Sequence, residues 1–196
     1  MNNKITIGTR GSKLSLAYSN RVKSLILKEG LIEDKNINIK IIKTSGDLSQ
    51  NKKISEIGGK GLFCKEIEDE LVDGKIDIAV HSLKDMESLE RKELEVLAYI
   101  KRNDPRDSLI SVKYKSFSEM NSGTIGSGSK RRELQLRLIK KNIKIKSIRG
   151  NIDTRIQKVI DGHYDGVVLA LAGLKMLGLE KHVIEIFPLE DFLPAV

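Results

Sequence analysis

Short blocks of apolar and polar residues follow one another along this chain and predict strands that alternate with helices. A strand over residues 4–8 precedes a helix over residues 14–26, whose apolar side chains recur at helical spacing, and Gly30 follows as a stop signal. A second strand alternates through residues 37–41. Residues 76–80 form a short, nearly continuous apolar run, which is typical of a strand covered on both faces in a parallel α/β sheet.

A second series of elements begins after residues 101–107, KRNDPRD, where a proline among charges interrupts the pattern. Further strands are predicted near residues 109–112, 124–126, 144–148 and 166–170, with helical patterns between them. We therefore predict an α/β protein of two domains, residues 1–100 and 108–196, joined by a hinge at residues 101–107.

The charge of the chain favours an anionic partner. Among its 196 residues, 35 Lys and Arg face 27 Asp and Glu, which gives a net charge of +8. Only 4% of the residues are aromatic and none is Trp, which weakens a single-strand nucleic-acid interpretation because such sites need stacking rings beside the charge. The charge alone is compatible with nucleic acid, acidic lipid or a small polycarboxylate. We expect a small-molecule partner and no nucleic acid, because nucleic-acid binding would not explain the glycine-bracketed arginines or the acidic residue described below.

Cysteine and histidine usage argues against a metal centre. A single Cys excludes an internal disulfide framework and a clustered-cysteine site, and His81, His163 and His182 show no spacing that suggests metal ligation.

No apolar run is long enough to span a membrane, and the amino terminus lacks the apolar core of a secretory signal. We expect a cytoplasmic protein with no bound metal and no membrane attachment.

The carboxyl ends of the predicted strands carry the candidate chemistry, because open parallel sheets bind their ligands there. His81, Ser82, Lys84 and Asp85 directly follow the apolar run at residues 76–80. On this stretch alone, a solvated polar turn is the simpler interpretation.

Two further glycine-containing turns lie in the first half of the chain. Arg10 and Ser12 separate the first strand from its helix, where free backbone N–H groups and the helix dipole favour an anion, although N-capping alone would explain Ser12. Residues 57–63, IGGKGLF, surround Lys60 with glycines that allow close approach of a ligand, without the spacing of a P-loop. For Cys64, which follows, a small buried hydrophobe is favoured over a reactive thiol.

Four arginines gather at two strand ends in the second half. Arg131 and Arg132 fall in the first turn of a helix after GSGSK, where cations oppose the helix dipole, so a bound anion would supply a reason for them. Arg149 and Arg155 repeat the arrangement in IRGNIDTR. These four arginines together suggest a site that binds carboxylate or phosphate. Each desolvated charged hydrogen bond would contribute about 1.5–3 kcal/mol to the binding free energy. Lys140 and Lys141, at the end of the helix, are predicted to be solvated.

Ordered motifs along the whole chain resemble those of the porphobilinogen deaminase, or hydroxymethylbilane synthase, family. They are TRGSKLSLA, GGKGLF, DIAVHSLKD, NDPRDSLIS, SKRRELQL, IRGNIDTR, YDGVVLALAGL with LGL, and LPAV. The resemblance implies two periplasmic-binding-protein-like lobes with a cleft between them. It also implies a third domain, absent from this chain, that carries the Cys to which the dipyrromethane cofactor is thioether-linked.

By this resemblance, Asp85 is the catalytic carboxylate, which assists loss of ammonia from porphobilinogen and stabilises the cationic pyrrole formed at each coupling. The family's positions that bind the acetate and propionate groups of cofactor and substrate match Arg10, Ser12, Lys60, Ser82, Lys84, Ser129, Arg131, Arg132, Arg149 and Arg155. The chain departs from the family pattern after Asp85, where Met86 and Glu87 replace the usual Val-Pro pair.

The implied activity is the condensation of four porphobilinogen molecules into hydroxymethylbilane during tetrapyrrole biosynthesis, by a monomeric enzyme. Because the chain stops at Val196 and Cys64 does not match the anchoring Cys, we expect a truncated form that is inactive alone. The alternative is a non-catalytic polycarboxylate-binding module of the periplasmic-binding-protein type. Asp85 discriminates between the two, because a pure anion binder gains nothing from a carboxylate in its site.

Overall fold

In the computed structural model of this chain, which describes residues 4–48, 61, 63–87 and 91–195, the backbone falls into two units. They are Met1–Ile100 and Lys101–Val196. The segment predicted to be a hinge, residues 101–107, is part of the second unit, and its last residue, Asp107, begins a strand.

A three-stranded parallel sheet forms the centre of the first unit, in the order β2-β1-β3. Its strands are β1 (Ile5–Thr9), β2 (Ile37–Ile41) and β3 (Ile78–Ala79), and its helices are α1 (Lys13–Lys28), α2 (Ser45–Leu48) and α3 (Lys65–Val72). The predicted first helix is confirmed, and Gly30 follows it with a φ of 70°, a conformation that glycine adopts without steric cost.

The strand predicted at residues 76–80 is shorter and less covered than the apolar run suggests. Only Ile78 and Ala79 pair with β1, and both side chains are partly exposed. Among the described strands β3 is an edge strand, so no second neighbour extends it. Ile76, just before it, is buried with Ile42 and Ile67 in the small core of this unit.

Residues 94–100 contain another apolar run, but it lies in no described strand. Its Leu97 and Tyr99 are 85% and 71% exposed. Apolar side chains alone do not make a strand, because the backbone also needs a hydrogen-bonding neighbour.

A five-stranded mixed sheet forms the centre of the second unit, in the order β6-β5-β7-β4-β8. Its strands are β4 (Asp107–Ile110), β5 (Gly123–Gly126), β6 (Ile143–Lys146), β7 (Gly166–Ala170) and β8 (Val183–Ile186). Its helices are α4 (Lys130–Ile139), α5 (Ile152–Ile160) and α6 (Leu171–Met176). Four of the five strands were predicted near these positions, and β8 was not.

Both faces of this sheet are covered. Leu109 pairs with Val168 in the antiparallel register of β4 and β7, and both lie in one core cluster with the stacked rings of Phe187 and Phe192, 4.6 Å apart. The adjacent residue, Ile110, lies in a second cluster. Successive side chains of a strand point to opposite faces, so the two clusters occupy the two sides of the sheet.

Strand direction determines which residues meet at the edges of the two sheets. In the first unit β1, β2 and β3 are parallel, so their carboxyl ends share one edge. In the second unit β5, β6 and β7 are parallel, whereas β4 is antiparallel to β7 and places Asp107 opposite Ala170. The first residue of β4 therefore lies at the edge where the parallel strands end.

Within the described residues, none of the helices has the length and apolar character needed to cross a membrane.

Candidate functional site

Arg10, at the carboxyl end of β1, is held by a carboxylate that the sequence did not single out. Its Nε donates to Asp47 Oδ1 over 3.1 Å, and its guanidinium lies 4.0 Å from the ring centroid of Phe63. Asp47 also accepts a 2.8 Å hydrogen bond from the Thr44 hydroxyl. Although burial acts to raise it, the pKa of Asp47 lies below its ordinary value because these hydrogen bonds favour the carboxylate.

Ser12 caps the amino end of α1, since its Oγ accepts a hydrogen bond from the Ser15 N–H over 3.2 Å. Ser129 does the same for α4, accepting from the Arg132 N–H over 3.5 Å. Capping is thus a sufficient structural reason for both serines, and a role for them in ligand binding stays a prediction.

Asp85 ends the single 3-10 turn, Leu83–Asp85, that follows β3. Its N–H donates to the Ser82 carbonyl over 2.9 Å, which fixes the turn, and its side chain is partly buried. Among the residues that the structure describes, none forms an ion pair or hydrogen bond with the Asp85 carboxylate. Ser82 and Lys84 are exposed beside it, and Lys60 lies outside the described residues.

Cys64 is a buried thiol at the amino end of α3. It is the N-cap residue of α3, is 1% exposed, and its Sγ donates to the Asp85 carbonyl over 3.5 Å. Burial, together with the negative charges of Glu68 and Asp85, raises the pKa of the Cys64 thiol to about 12. The expectation of a buried, inert Cys64 is confirmed as far as burial goes.

We predict that Cys64 in the folded chain resists alkylation by iodoacetamide. At about pH 8, a thiol with a pKa near 12 is roughly a thousand times less ionised than one at the ordinary value of 9.0, and the thiolate is the nucleophile. Intact-mass spectrometry over time would show slow single addition to the folded chain and fast addition in urea. Since the chain has a single Cys, equal rates in both states would contradict the prediction.

In the second unit, Arg131 and Arg132 share Asp107. Arg131 Nη2 lies 2.6 Å from one Asp107 carboxylate oxygen and Arg132 Nη2 lies 2.7 Å from the other. Asp107 is 1% exposed, and Arg132 Nη1 also donates to the Val168 carbonyl over 3.1 Å. The sequence pattern suggested a bound anion as the reason for two arginines at this helix end, but Asp107 is an anion within the chain and already supplies such a reason.

A positive charge remains concentrated around Arg155. Its Nε donates to the Gly150 carbonyl over 2.7 Å. Burial, and then the positive charges of Arg132 and Arg149, lower the pKa of Arg155 from its ordinary value. Arg132 Nε is buried and has no hydrogen-bond partner among the described residues. An anion at this edge would satisfy that donor and offset the repulsion between like charges.

The turn between β6 and α5 sets the positions of Arg149 and Arg155. Gly150 has a φ of 110°, which residues other than glycine rarely adopt. A Cβ atom at this position would lie 2.8 Å from Thr154 Cγ2, so a larger residue would also clash. The Lys158 ammonium donates to the Arg149 carbonyl over 3.0 Å. The conformation of Gly150 and the Lys158 hydrogen bond define the short connection that brings the two arginines to the carboxyl end of β6.

Lys140 is not the solvated lysine that the sequence suggested. Its Nζ donates to the carbonyl oxygens of Phe117 and Ser118, each over 2.6 Å, and to that of Met120 over 3.1 Å. Lys140 therefore fastens the loop before β5 to the end of α4. Lys141 is exposed, as expected.

Comparison with known proteins identifies relatives of this chain. The family model described as "Porphobilinogen deaminase, dipyromethane cofactor binding domain" matches residues 5–196. The chain is 45% identical over 193 residues to the porphobilinogen deaminase of Syntrophomonas wolfei, covering 98% of this chain and 62% of that protein. It is 43% identical over 191 residues to that of Syntrophus aciditrophicus, covering 97% of this chain and 62% of that protein.

Solved structures with low sequence identity share the fold. The methionine-binding protein MetQ superposes with a TM-score of 0.56 at 14% identity, over 96% of this chain and 79% of that one. A periplasmic substrate-binding protein of an ABC transporter from Coxiella burnetii gives 0.53 at 13% identity, over 94% and 79% of the two chains. The predicted α/β fold with periplasmic-binding-protein-like lobes is thereby confirmed.

The relatives establish more than the fold, because their identity is high and spans almost the whole of this chain. The chain in turn spans about 62% of the length of the curated relatives it matches. Together with the family model over residues 5–196, whose description includes the dipyrromethane cofactor, these matches show that the chain belongs to the porphobilinogen deaminase family.

Proposed function

We propose that this chain provides the substrate- and cofactor-binding residues of an enzyme that condenses four porphobilinogen molecules into hydroxymethylbilane with release of ammonia. The observation that carries the proposal is Asp85. Its carboxylate follows β3 in a fixed turn and has no ionic partner among the described residues. A carboxylate without such a partner is available to stabilise positive charge on a ligand.

Asp85 would act on the charge that develops on a pyrrole nitrogen when ammonia leaves and when two rings are joined. A fixed anion stabilises such a cation without reorganising, and more strongly where water is scarce. The Ser82–Asp85 backbone hydrogen bond fixes the turn from which the carboxylate extends. This role requires no proton transfer to Asp85, only that it stay ionised.

The arginines of the second unit would bind the acetate and propionate groups. Arg149 and Arg155 lie where positive charge is concentrated, so a carboxylate there gains charge-assisted hydrogen bonds. Arg131 and Arg132 are already oriented by Asp107, which reduces the conformational entropy lost when they bind. Arg10, held by Asp47, would play the same part in the first unit.

Dipyrromethane fits this donor set, because its carboxylates could accept from the buried Arg132 Nε that lacks a partner among the described residues. Arg132, Arg149 and Arg155 would hold it in the second unit. When bound, it supplies the pyrrole to which substrate is joined. The arginines of this chain would orient the carboxylates of dipyrromethane and pair with them.

A chimera tests the proposed activity directly. Residues 1–196 of this chain replace the matching part of the Syntrophomonas wolfei relative, and hydroxymethylbilane formation from porphobilinogen is measured. We expect turnover by the chimera. A folded chimera that binds porphobilinogen without converting it would contradict the proposal.

We predict that Arg149→Ala and Arg155→Ala each weaken porphobilinogen binding by about tenfold or more, since each removes a charged hydrogen bond worth about 1.5–3 kcal/mol. Lys141→Ala, which removes an exposed charge from the same unit, should change the Kd less than about twofold. Calorimetric titration of the 196-residue chain and its variants measures the effect. Equal losses in all three variants would show that diffuse surface charge governs binding.

The arginine cluster by itself also suits a second candidate, a module that binds a polycarboxylate without converting it. The solved structures of similar fold include a methionine-binding protein and a transporter's substrate-binding protein, so the fold serves binding in those proteins. The two candidates differ at Asp85. Asp85→Asn should strengthen or leave unchanged the affinity of a pure anion binder, and it should abolish turnover in an enzyme.

A further inference from the structure

Three potential metal ligands meet beside the Leu83–Asp85 turn. Cys64 offers a sulfur, Glu68 a carboxylate oxygen and His81 an imidazole nitrogen, and these atoms lie within 4.8 Å of one another. Within the described residues this is the one such group of three or more. The sequence predicted no metal, because the ligands follow no familiar spacing and the chain has a single Cys.

The fold explains why these three side chains converge. Cys64 is the N-cap residue of α3 and Glu68 lies one turn later, so both occupy the same face of the helix. α3 packs against β1 and β3, and His81 follows the carboxyl end of β3. The amino end of α3 and the segment directly after β3 therefore set the geometry.

His81 supplies a second, independent sign of a ligand. Its Nε2 is buried and has no hydrogen-bond partner among the described residues. Burying an unpaired imidazole nitrogen costs free energy, and a bound cation would remove that cost. Cys64 Sγ has only a long contact of 3.5 Å, to the Asp85 carbonyl, so little is lost if the thiol proton leaves.

We propose that Cys64, Glu68 and His81 form a binding site for a thiophilic divalent cation, of which Zn²⁺ fits best. One sulfur, one imidazole and one carboxylate are ligands that Zn²⁺ accepts in three-ligand sites that keep a fourth position open. Mg²⁺ and Ca²⁺ prefer oxygen ligands only. At zinc–ligand distances of about 2.0–2.3 Å, tetrahedral neighbours lie roughly 3.3–3.8 Å apart, so the ligand atoms, which lie within 4.8 Å of one another, would need to approach by at most about 1.5 Å.

The local charge favours a cation. Glu68 and Asp85 place negative charge beside the Cys64 sulfur, which attracts a cation, and a thiol that coordinates a divalent ion gives up its proton to solvent. Two positive charges oppose a cation there, and each forms an ion pair of its own. Arg10 acts on Cys64 and pairs with Asp47 at 2.5 Å, and Arg91 acts on Glu68 and pairs with Asp69 at 2.5 Å. Metal binding would also remove the thiol donor from the Asp85 carbonyl and so perturb the turn.

Zinc titration of the 196-residue chain, followed by calorimetry, tests the site without depending on the proposed function. We expect one equivalent to bind to the parent chain, and Cys64→Val, Glu68→Gln and His81→Gln each to weaken binding by about 100-fold or more. His163→Gln and Glu190→Gln, which make the same substitutions at exposed positions, should leave the affinity unchanged. Co²⁺ should give a thiolate charge-transfer absorption in the parent chain that is absent from Cys64→Val.

A measurement on the unmutated chain guards against variants that fail to fold. In NMR spectra, the first equivalent of Zn²⁺ should shift the His81 imidazole and the amides of residues 82–86, and leave His163 and His182 in place. If His163 or His182 shifts first, or if the Cys64, Glu68 and His81 variants bind as tightly as the parent, the ion occupies the surface and the proposal is overturned.

Discussion

Asp85→Asn is expected to lower the rate of hydroxymethylbilane formation by about 10²–10³-fold or more, the size of effect seen when one preorganised electrostatic group is removed from an active site. The amide has nearly the same shape as the carboxylate and carries no charge, so it cannot offset a positive pyrrole. The turn should survive, because its hydrogen bond joins backbone atoms of Ser82 and Asp85. The loss should appear in kcat rather than in KM.

The measurement uses the chimera with the Syntrophomonas wolfei relative, once the parent chimera is shown to be active. Asp73→Asn is a matched control in the same unit, because Asp73 is an exposed carboxylate that pairs with Lys75 on the surface. The control should keep the parent rate. A near-normal rate for Asp85→Asn would remove Asp85 from the mechanism and leave the binding-module alternative in place.

Asp107→Asn is expected to lower the free energy of unfolding of the second unit by about 3 kcal/mol or more, because removing one partner of a buried ion pair leaves the other charge uncompensated. Here two guanidinium groups depend on one carboxylate that is 1% exposed. Most of the loss should come from the unpaired charge of Arg132. This residue is only 9% exposed, and its Nε already has no hydrogen-bond partner among the described residues.

Urea denaturation of the 196-residue chain, followed by circular dichroism, measures this loss. Asp191→Asn, at an exposed carboxylate of the same unit, should change the unfolding free energy by less than about 0.5 kcal/mol. Combining Asp107→Asn with Arg132→Met should cost less than the sum of the single changes, since the charge left unpaired is also removed. Additive losses would show that Asp107 and Arg132 do not depend on each other.

Local sequence was sufficient for elements whose signals lie within a few residues. Apolar spacing predicted α1, Ser12 caps it, and Gly30 follows its end. The same kind of signal located β1, β2 and four strands of the second unit. Each of these depends on contacts between near neighbours in the chain, so the pattern of residue types carries the information.

The order of the motifs identified the family. The tendency of parallel sheets to bind ligands at the carboxyl ends of their strands drew attention to Asp85 and the arginines. Neither could reveal what those side chains contact. Asp47 and Asp107 were missed as partners of Arg10 and Arg131, which lie 37 and 24 residues away in the chain. An ion pair between distant residues produces no periodic pattern in the sequence, because only the folded sheet brings its two members together.

The sequence by itself thus determined most helices, most strands and the family, and it named the candidate site residues. It did not predict α2, which lies in a stretch interpreted as a turn and loop. The tertiary structure alone decided that β4 is antiparallel, which places Asp107 at the arginine edge, and that Lys140 binds three carbonyl groups. It also brought Cys64 and Glu68 to His81. Strand direction and helix packing are set by long-range pairing and burial, which a pattern of neighbouring residues does not encode.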